Sequence, residues 1–497
     1  MICISIGRGR HKQLSLDHQR AAEMGAKLVE LRLDMLIRTV DLPRLLPERP
    51  TPVVVTIRRP ADGGRWHGSE ADRMMLLRNA IVAGVEYVDL EGDIAGSIPR
   101  YGKTKRIVSY HNFQETPQNL AEIHQQLASK NADIVKIATM ANSATDALRV
   151  MQVARDSKIP TIAICMGEYG TATRILAGKW GAPFTFAAID EEKALAPGQL
   201  DYRTLTRRYR YERIQRSTQV YAVIGDPIIQ SKSPVVHNAA FDVTGMDAVY
   251  VPFRVGRDEL FDFFGECEDL DIRGLSVTIP HKERTVAYAT DATESVKSIG
   301  AANTLVFKGG RTAAFNTDYR AAMQCLSASG EDLAGDALAG KTALLLGSGG
   351  VSRALAYGLK LAGARVQVTS RTATNAENFA KELGVEPVRW EERLDLRPNI
   401  LINGTPVGMF PNVDETPWNE ESLEPEMTVF DTIYNPEQTL LVKHARARGC
   451  RVITGVDMFI RQAALQFKRF TEKTAPIETM HRAFKRALSP VRYDEDY

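Results

Sequence analysis

Ala132-Asp133-Ile134-Val135-Lys136-Ile137-Ala138-Thr139 is an apolar run interrupted by one lysine. A run apolar on both faces is what a parallel strand covered by helices produces. An ammonium there is costly, so Lys136 needs a reason. It can be a paired or snorkelling lysine at a strand end. It can also be an amine available as a nucleophile for a carbonyl.

Seven further strand-like runs share its character, at 2–6, 28–33, 53–57, 87–90, 106–110, 161–165 and 184–189. Amphipathic segments such as 120–129 and 144–157 lie between them. Eight β-then-α units predict a (β/α)8 barrel, whose chemistry sits where strands end. Polar residues gather at those ends: Glu30, Arg32 and Asp34 at the second, Arg58 and Asp62-Gly63-Gly64 at the third, Asp89 and Glu91 at the fourth. His111 ends the fifth, Lys136 lies in the sixth, Met166-Gly167 and Arg174 follow the seventh, and Ala196-Pro197-Gly198-Gln199 follows the eighth. Singly, Arg32 with Glu30 could be a surface ion pair and His111 a loop histidine. Converging on one barrel mouth, they read as a site. A lysine condensed with a ketone makes an iminium that acidifies the neighbouring carbon, and a histidine can move that proton. Arginines clamp a carboxylate. No residue spacing here suggests a metal set.

Size and composition bound the rest. A chain of 497 residues predicts two or three domains. A net charge of +2 does not favour nucleic acid or an anionic membrane, leaving small molecules as the expected partners. The five cysteines (Cys3, Cys165, Cys267, Cys325, Cys450) are scattered without a Cys-x-x-Cys, which suits a reducing cytosol and predicts a cytoplasmic protein. The first apolar run is too short for a signal peptide, and no run is long enough to span a bilayer.

Glu30-Leu31-Arg32-Leu33-Asp34, Thr56-Ile57-Arg58, Ser109-Tyr110-His111-Asn112-Phe113, Asp133-Ile134-Val135-Lys136-Ile137-Ala138, Arg174-Ile175-Leu176-Ala177-Gly178 and Ala196-Pro197-Gly198-Gln199 together resemble type I 3-dehydroquinate dehydratase, in order across 1–216. The resemblance implies that Lys136 forms a Schiff base with the C3 ketone of 3-dehydroquinate and that His111 shuttles the proton. It assigns Arg58, Arg174, Glu30, Arg32, Asp62 and Gln199 to the substrate. Two positions depart from the family pattern: Asp62 stands where Glu is common, and Leu195 where Ser is common.

Residues 201–216, rich in arginine and tyrosine, read as the last barrel helix with a solvated face, then a short connector. A strand at 221–224 follows. Ser233 before Pro234, an apolar-periodic run and Gly245 mark a helix with Ser233 at its N-cap. Strands are predicted at 249–255, 303–307 and 311–315, the last two joined at Gly309-Gly310. Lys282 and Asp318 read either as solvated loop charges or as a pair brought to one site. Strand 342–346, the turn Gly347-Ser348-Gly349-Gly350 and helix 353–361 form a dinucleotide-binding pattern. The next strand ends in Ser370-Arg371-Thr372. An acidic residue would be expected there for NAD, and Arg371 suits the 2′-phosphate of NADP.

Ile224-Gly225-Asp226-Pro227, Ser231-Lys232-Ser233-Pro234, Val277-Thr278-Ile279-Pro280-His281-Lys282, Asn316-Thr317-Asp318, Asn403-Gly404-Thr405-Pro406 and Gln462-Ala463-Ala464-Leu465-Gln466 resemble shikimate dehydrogenase over about 250 residues. The resemblance implies that Ser231, Ser233, Thr278, Asn303, Asp318, Tyr434 and Gln462 hold shikimate, and that Lys282 is the acid/base beside Asp318. It places Gly347, Gly349, Gly350, Ser370, Arg371, Thr372 and Gly455 along NADP(H). Ser276 and Tyr319 depart mildly from that pattern.

The expected architecture is α/β: a TIM barrel over 1–216, a shikimate-binding lobe over 217–320 completed by a helix near 457–472, and an NADP-binding Rossmann-like lobe over 321–456. A helix at 480–488 and a disordered acidic tail close the 475–497 segment. The expected function is dehydration of 3-dehydroquinate to 3-dehydroshikimate, then NADPH-dependent reduction to shikimate, in aromatic amino acid biosynthesis. Two rivals stay open: a Schiff-base aldolase fused to a quinate-type dehydrogenase, and a metabolite sensor of the same two folds with catalysis lost.

Overall fold

A computed structural model describes residues 1–327 and 337–489, so the acidic tail lies outside the described residues. The chain divides into two compact units: Met1–Ser231 with Asp247–Ile272, and Lys232–Met246 with the described residues from 273 on.

The first unit carries the barrel. Its strands are β1 (Ile2–Ile6), β2 (Leu28–Arg32), β3 (Val53–Thr56), β4 (Tyr87–Glu91), β5 (Lys105–Asn112), β6 (Ile134–Met140), β7 (Thr161–Met166) and β8 (Thr185–Ala188). They are hydrogen-bonded in the order β7-β6-β5-β4-β3-β2-β1-β8. The seven neighbouring pairs are parallel, and β1 pairs with both β2 and β8, so the barrel is nearly closed. Leu28, Val54, Ile107, Ile134, Ile162 and Phe184 pack together as one buried layer of the strands. Val29, Val53, Val55, Val88, Val108 and Val135 form a separate buried layer that includes Leu14, Leu77 and Leu127 of the helices. Alternation along each strand separates these two sets.

The helix Ala144–Asp156 begins as the pattern predicts, with Ser143 Oγ accepting from the Asp146 amide at 3.1 Å. The helix expected within 201–216 is instead a short π-helical turn, Thr204–Arg208, followed by a 3-10 turn, Tyr211–Arg213. Arg210 adopts φ +46°, which breaks the helical course between them. Tyr209 and Tyr211 are buried and hold the segment to the barrel. β9 (Gln219–Gly225) and β10 (Ala248–Arg254) pair in parallel in the same unit.

The second unit holds β11 (Ile272–Val277), β12 (Asp291–Ala292), β13 (Thr304–Lys308) and β14 (Arg311–Phe315). β13 pairs antiparallel with β11 and β14. Gly309 and Gly310 take φ +60° and +72° at the two-residue turn, where a side chain would be strained. The parallel sheet β17-β16-β15-β18-β19-β20 follows, built from β15 (Thr342–Leu346), β16 (Arg365–Thr369), β17 (Glu386–Val388), β18 (Ile400–Asn403), β19 (Thr428–Asp431) and β20 (Arg451–Ile453). This is the doubly wound strand order. The helix Gly455–Thr471 returns towards β13. The last described helix, Ile477–Leu488, starts three residues before the predicted 480 and buries Met480 and Phe484. The helix Ser233–Val243 includes Ser233 as its first residue. Lys232, not Ser233, holds the cap position, because its carbonyl already accepts the first helical bond, from the Val236 amide at 3.3 Å.

Candidate active sites

In the barrel, Lys136 is 5% exposed, and its Nζ donates to Asp89 Oδ2 at 2.9 Å. Its ammonium also lies 4.1 Å from the Phe186 ring centre. The strand register creates this meeting: Lys136 pairs with Ser109 across β5–β6, and Ser109 with Glu91 across β4–β5. Side chains at i and i+2 share a face, so Asp89 and Glu91 both project where Lys136 and Ser109 do. Arg58 from the end of β3 completes the group, with NH2 2.9 Å from Asp89 Oδ2 and NH1 donating to Glu91 Oε1 at 3.1 Å and to Ser109 Oγ at 3.0 Å. Burial would raise the Asp89 carboxyl, but Arg58 and then Lys136 hold it well below the usual carboxylate range.

His111, two residues beyond Ser109 on β5, is half-buried. Desolvation first, then the charges of Arg58 and Lys136, push its imidazole well below the ordinary histidine value. The ring is therefore neutral near pH 7. Its Nδ1 has no hydrogen-bond partner among the described residues. Asp62 does not supply one: its carboxylate accepts from Arg59 Nε at 2.8 Å.

The remaining barrel residues divide by partner. Glu30 is buried and accepts from Thr56 Oγ1 at 2.8 Å. Arg32 is bidentate on Asp34, at 3.0 and 2.9 Å. Arg174 is 1% exposed, its Nε is unsatisfied, and its one side-chain hydrogen bond among the described residues runs from NH2 to the Pro197 carbonyl at 3.3 Å. Burial lowers this guanidinium to about 10. A buried arginine without an acidic partner is suited to an anion from outside the protein. Gln199 Oε1 accepts from the Leu195 amide at 2.8 Å, folding the 195–199 loop onto itself.

In the second unit, Lys282 Nζ donates to Asp318 Oδ2 at 2.7 Å. Asn303, 2% exposed, donates to Asp318 Oδ1 at 2.8 Å and to Thr317 Oγ1 at 2.9 Å. Asn303 thus fixes the carboxylate that fixes the lysine. Thr278 is half-buried four residues before Lys282, and Ser233 is buried at the start of its helix. Ser231 ends the first unit, its amide donating to the Ile228 carbonyl at 2.9 Å. The Tyr434 ring lies tilted 4.9 Å from Phe459 and edge-on 5.9 Å from Phe484, and burial raises its hydroxyl. Gln462 donates to the Phe459 carbonyl of its own helix at 3.0 Å.

The glycine turn stands beside this pair: a Cβ on Gly350 would lie 3.5 Å from Lys282 Cδ. Gly347 takes φ +98°, and a Cβ there would meet Thr405 Cγ2 at 2.9 Å. A Cβ on Gly349 would meet nothing within 4 Å, so space is open above the first amides of the helix Gly350–Leu361. Ser352 Oγ and Thr369 Oγ1 are buried without hydrogen-bond partners. The Gly347 amide donates to the Thr369 carbonyl at 2.8 Å, which sets the turn next to Ser370-Arg371-Thr372, with Arg371 exposed. Gly455 opens its helix so tightly that a Cβ would lie 2.3 Å from the Ile433 carbonyl oxygen. Helix amides with open space and an exposed guanidinium at the adjoining strand end fit a dinucleotide phosphate.

Several participants escaped assignment. Asp89 and Glu91 are visible as Asp-x-Glu at a strand end, and Arg73, 0% exposed, supports Glu91 Oε2 at 2.8 Å from the helix Glu70–Val82. Gln466, one turn beyond Gln462, reaches the Asn303 carbonyl at 3.0 Å and accepts from Ser276 Oγ at 2.8 Å. Among the described residues no group of acids, histidines and cysteines could hold a metal ion, and no helix is long and apolar enough to cross a membrane.

Comparison with known proteins accounts for both halves. Residues 2–216 match the family model for type I 3-dehydroquinase, 223–305 the shikimate dehydrogenase substrate binding domain, and 455–483 the shikimate 5′-dehydrogenase C-terminal domain. The chloroplastic bifunctional 3-dehydroquinate dehydratase/shikimate dehydrogenase of Arabidopsis thaliana is 36% identical over 502 residues, covering 96% of this chain and 83% of that protein. The NADP(+) shikimate dehydrogenase of Desulforamulus reducens is 34% identical over 56% of this chain and 98% of its own. A shikimate dehydrogenase solved with NADP+ superposes with a TM-score of 0.52 at 33% identity, over 55% of this chain and 97% of that one. A barrel with a buried Lys136, a lobe with a Lys282–Asp318 pair and a fused relative aligned along nearly all of both place the chain in the bifunctional 3-dehydroquinate dehydratase/shikimate dehydrogenase family.

Proposed function

We propose that Lys136 Nζ attacks the C3 ketone of 3-dehydroquinate and, with loss of water, forms an iminium. Neutral His111 then takes a proton from the adjacent carbon, and the electron pair flows into the iminium. His111 returns that proton to the departing hydroxyl, and water hydrolyses the imine to release 3-dehydroshikimate and free Lys136. Asp89 holds Nζ at one point, and Arg58 shares that carboxylate. Arg174 meets the substrate carboxylate, with Glu30, Arg32, Asp62 and Gln199 around the ring hydroxyls.

In the second half, Lys282 Nζ gives a proton to the ketone oxygen of 3-dehydroshikimate as it becomes a hydroxyl. Asp318 and Asn303 keep that nitrogen in place, and Ser233, Thr278, Tyr434 and Gln462 orient the ring. NADPH, when bound, supplies the hydride to the ketone carbon. Gly347, Gly349, Gly350 and Gly455 would line its site, and Ser370, Arg371 and Thr372 would hold its 2′-phosphate. The functional division we propose is 1–216 for dehydration, 217–320 with the helix near 457–472 for shikimate, and 321–456 for NADP. We assign the protein to the cytoplasm, in keeping with its five free cysteines, four of them buried.

The observation that carries the dehydratase reading is the 2.9 Å Lys136–Asp89 contact inside the barrel. Borohydride added with 3-dehydroquinate should leave a reduced adduct on the Lys136 peptide. Activity without any trappable adduct, or an adduct on another lysine, would remove Lys136 from the mechanism. Sugar phosphates should leave no adduct, which separates this reading from an aldolase, and turnover of both substrates excludes a pure sensor.

A further inference from the structure

Residues 247–272 follow the barrel in sequence yet belong to the same compact unit. The helix Ala144–Asp156 binds this segment at both ends: the Ala144 amide donates to Glu259 Oε2 at 3.2 Å, and Arg155 NH1 donates to the Asp269 carbonyl at 3.0 Å. Arg254, the last residue of β10, reaches further. Its NH1 donates to Glu168 Oε2 at 3.0 Å, its Nε to Asp226 Oδ1 at 2.8 Å, and its guanidinium lies 4.9 Å from the Tyr169 ring centre.

Glu168 and Tyr169 form the turn Glu168–Gly170, directly after β7 and Gly167. Gly167, which leads into that turn, packs directly against the 195–199 loop. The Gly167 amide donates to the Pro197 carbonyl at 3.2 Å, and a Cβ on Gly198 would lie 2.5 Å from the Gly167 carbonyl oxygen. The same Pro197 carbonyl accepts from Arg174. Glu168 has no other cation among the described residues, and its Oε1 is buried without a hydrogen-bond partner. A carboxylate so placed depends on Arg254 to stay where it is.

We infer that Arg254 is a positioning residue for the dehydratase site, supplied from beyond the barrel. It acts through Glu168 and Gly167 on the loop that carries Gln199 and on the carbonyl that steadies Arg174. The inference rests on the proposed substrate contacts of Arg174 and Gln199. It makes the barrel's substrate affinity depend on residues after 216.

Kinetics on the full chain test it. Arg254→Ala should raise the dehydratase KM about five- to tenfold with kcat within about twofold, less than the full worth of a charge-assisted hydrogen bond because Arg254 acts on the substrate only through the loop. Glu168→Gln should do the same, and the double variant should be no worse than either single one. Arg254→Lys keeps the charge but cannot hold both carboxylates, and should recover part of the loss. A KM equal to wild type in Glu168→Gln, effects that multiply in the double variant, or a lower unfolding temperature with KM unchanged would overturn the inference. If Arg254→Ala does not fold, the isosteric Glu168→Gln decides alone. Borohydride trapping on Lys136 in the unaltered protein tests the underlying reading separately, because it does not depend on Arg254.

Discussion

Lys136 Nζ and Arg58 NH2 meet the same oxygen, Asp89 Oδ2, each at 2.9 Å. Two cations share one buried carboxylate, so Asp89 sets the position of both the nucleophile and a proposed substrate ligand. Asp89→Asn keeps the shape and removes the charge. It leaves two buried cations under-compensated, a loss worth about 3–5 kcal/mol in comparable buried pairs. We expect a clear drop in unfolding midpoint and a fall of at least tenfold in the rate of borohydride trapping. An unchanged trapping rate would mean that Asp89 only balances charge.

The Lys282–Asp318 contact allows the two activities to be separated. Lys282→Ala should reduce shikimate formation by about 10²–10⁴-fold, the usual contribution of a positioned acid/base. Dehydration of 3-dehydroquinate, measured on the same preparation, should be unchanged. Asp318→Asn should fall less, because the lysine remains while its anchor weakens. Equal loss of both activities would point to a folding defect.

Arg371 is exposed just beyond the end of β16, and among the described residues no carboxylate forms an ion pair with it. Replacing it with Ala should raise the KM for NADPH about 10–100-fold, the worth of a charge-assisted contact to phosphate, and leave the KM for NADH nearly unchanged. A uniform loss with both nucleotides would remove Arg371 from 2′-phosphate recognition.

The barrel was legible because its strands carry apolar residues on both faces at a regular spacing, and Lys136 stood out as an ammonium with apolar neighbours on both sides along its run. Its partner was less visible. Asp89-Leu90-Glu91 reads like any strand-end acid pair until the β4–β5–β6 register shows which faces converge. Arg174 was placed after the seventh strand by the pattern, but its substrate role came only by family resemblance, since the lack of an acid beside a guanidinium is a three-dimensional fact. The helix expected in 201–216 failed at Arg210, whose left-handed backbone no arginine-rich periodicity announces. Gln462 was assigned to shikimate by resemblance; Gln466, four residues on and so on nearly the same helix face, is the residue that reaches the Asn303 carbonyl, a contact the sequence pattern did not single out. The attachment of 247–272 to the barrel unit crosses the chain order altogether.

Acid should destabilise the fold well before its carboxylates titrate. His18 is buried against Thr51 Oγ1 at 2.9 Å, and desolvation first, then Arg49, lowers it from 6.5 to about 4. His237, buried near Phe241 and Phe470, is lowered by desolvation to about 3. His111 is lowered in the same sense. Each of these groups binds a proton more readily when unfolded, so its contribution is full above about 6.5 and is lost as pH falls towards the folded value. Asp431 opposes them: burial raises it from 3.8 to about 6, so it stabilises the fold below 3.8 and loses that contribution as pH rises through 6. His11 and His124, also lowered first by burial, act in the same sense, so five imidazoles against one carboxyl leave stability falling as pH falls between about 6.5 and 4, with a slope of up to about 1.4 kcal/mol per pH unit for each net proton. Urea midpoints measured across that range should decline steadily. His18→Gln, which can keep a hydrogen bond to Thr51, should make the decline shallower. A midpoint that stays level or rises on acidification would show that these imidazoles reach protons in the folded state.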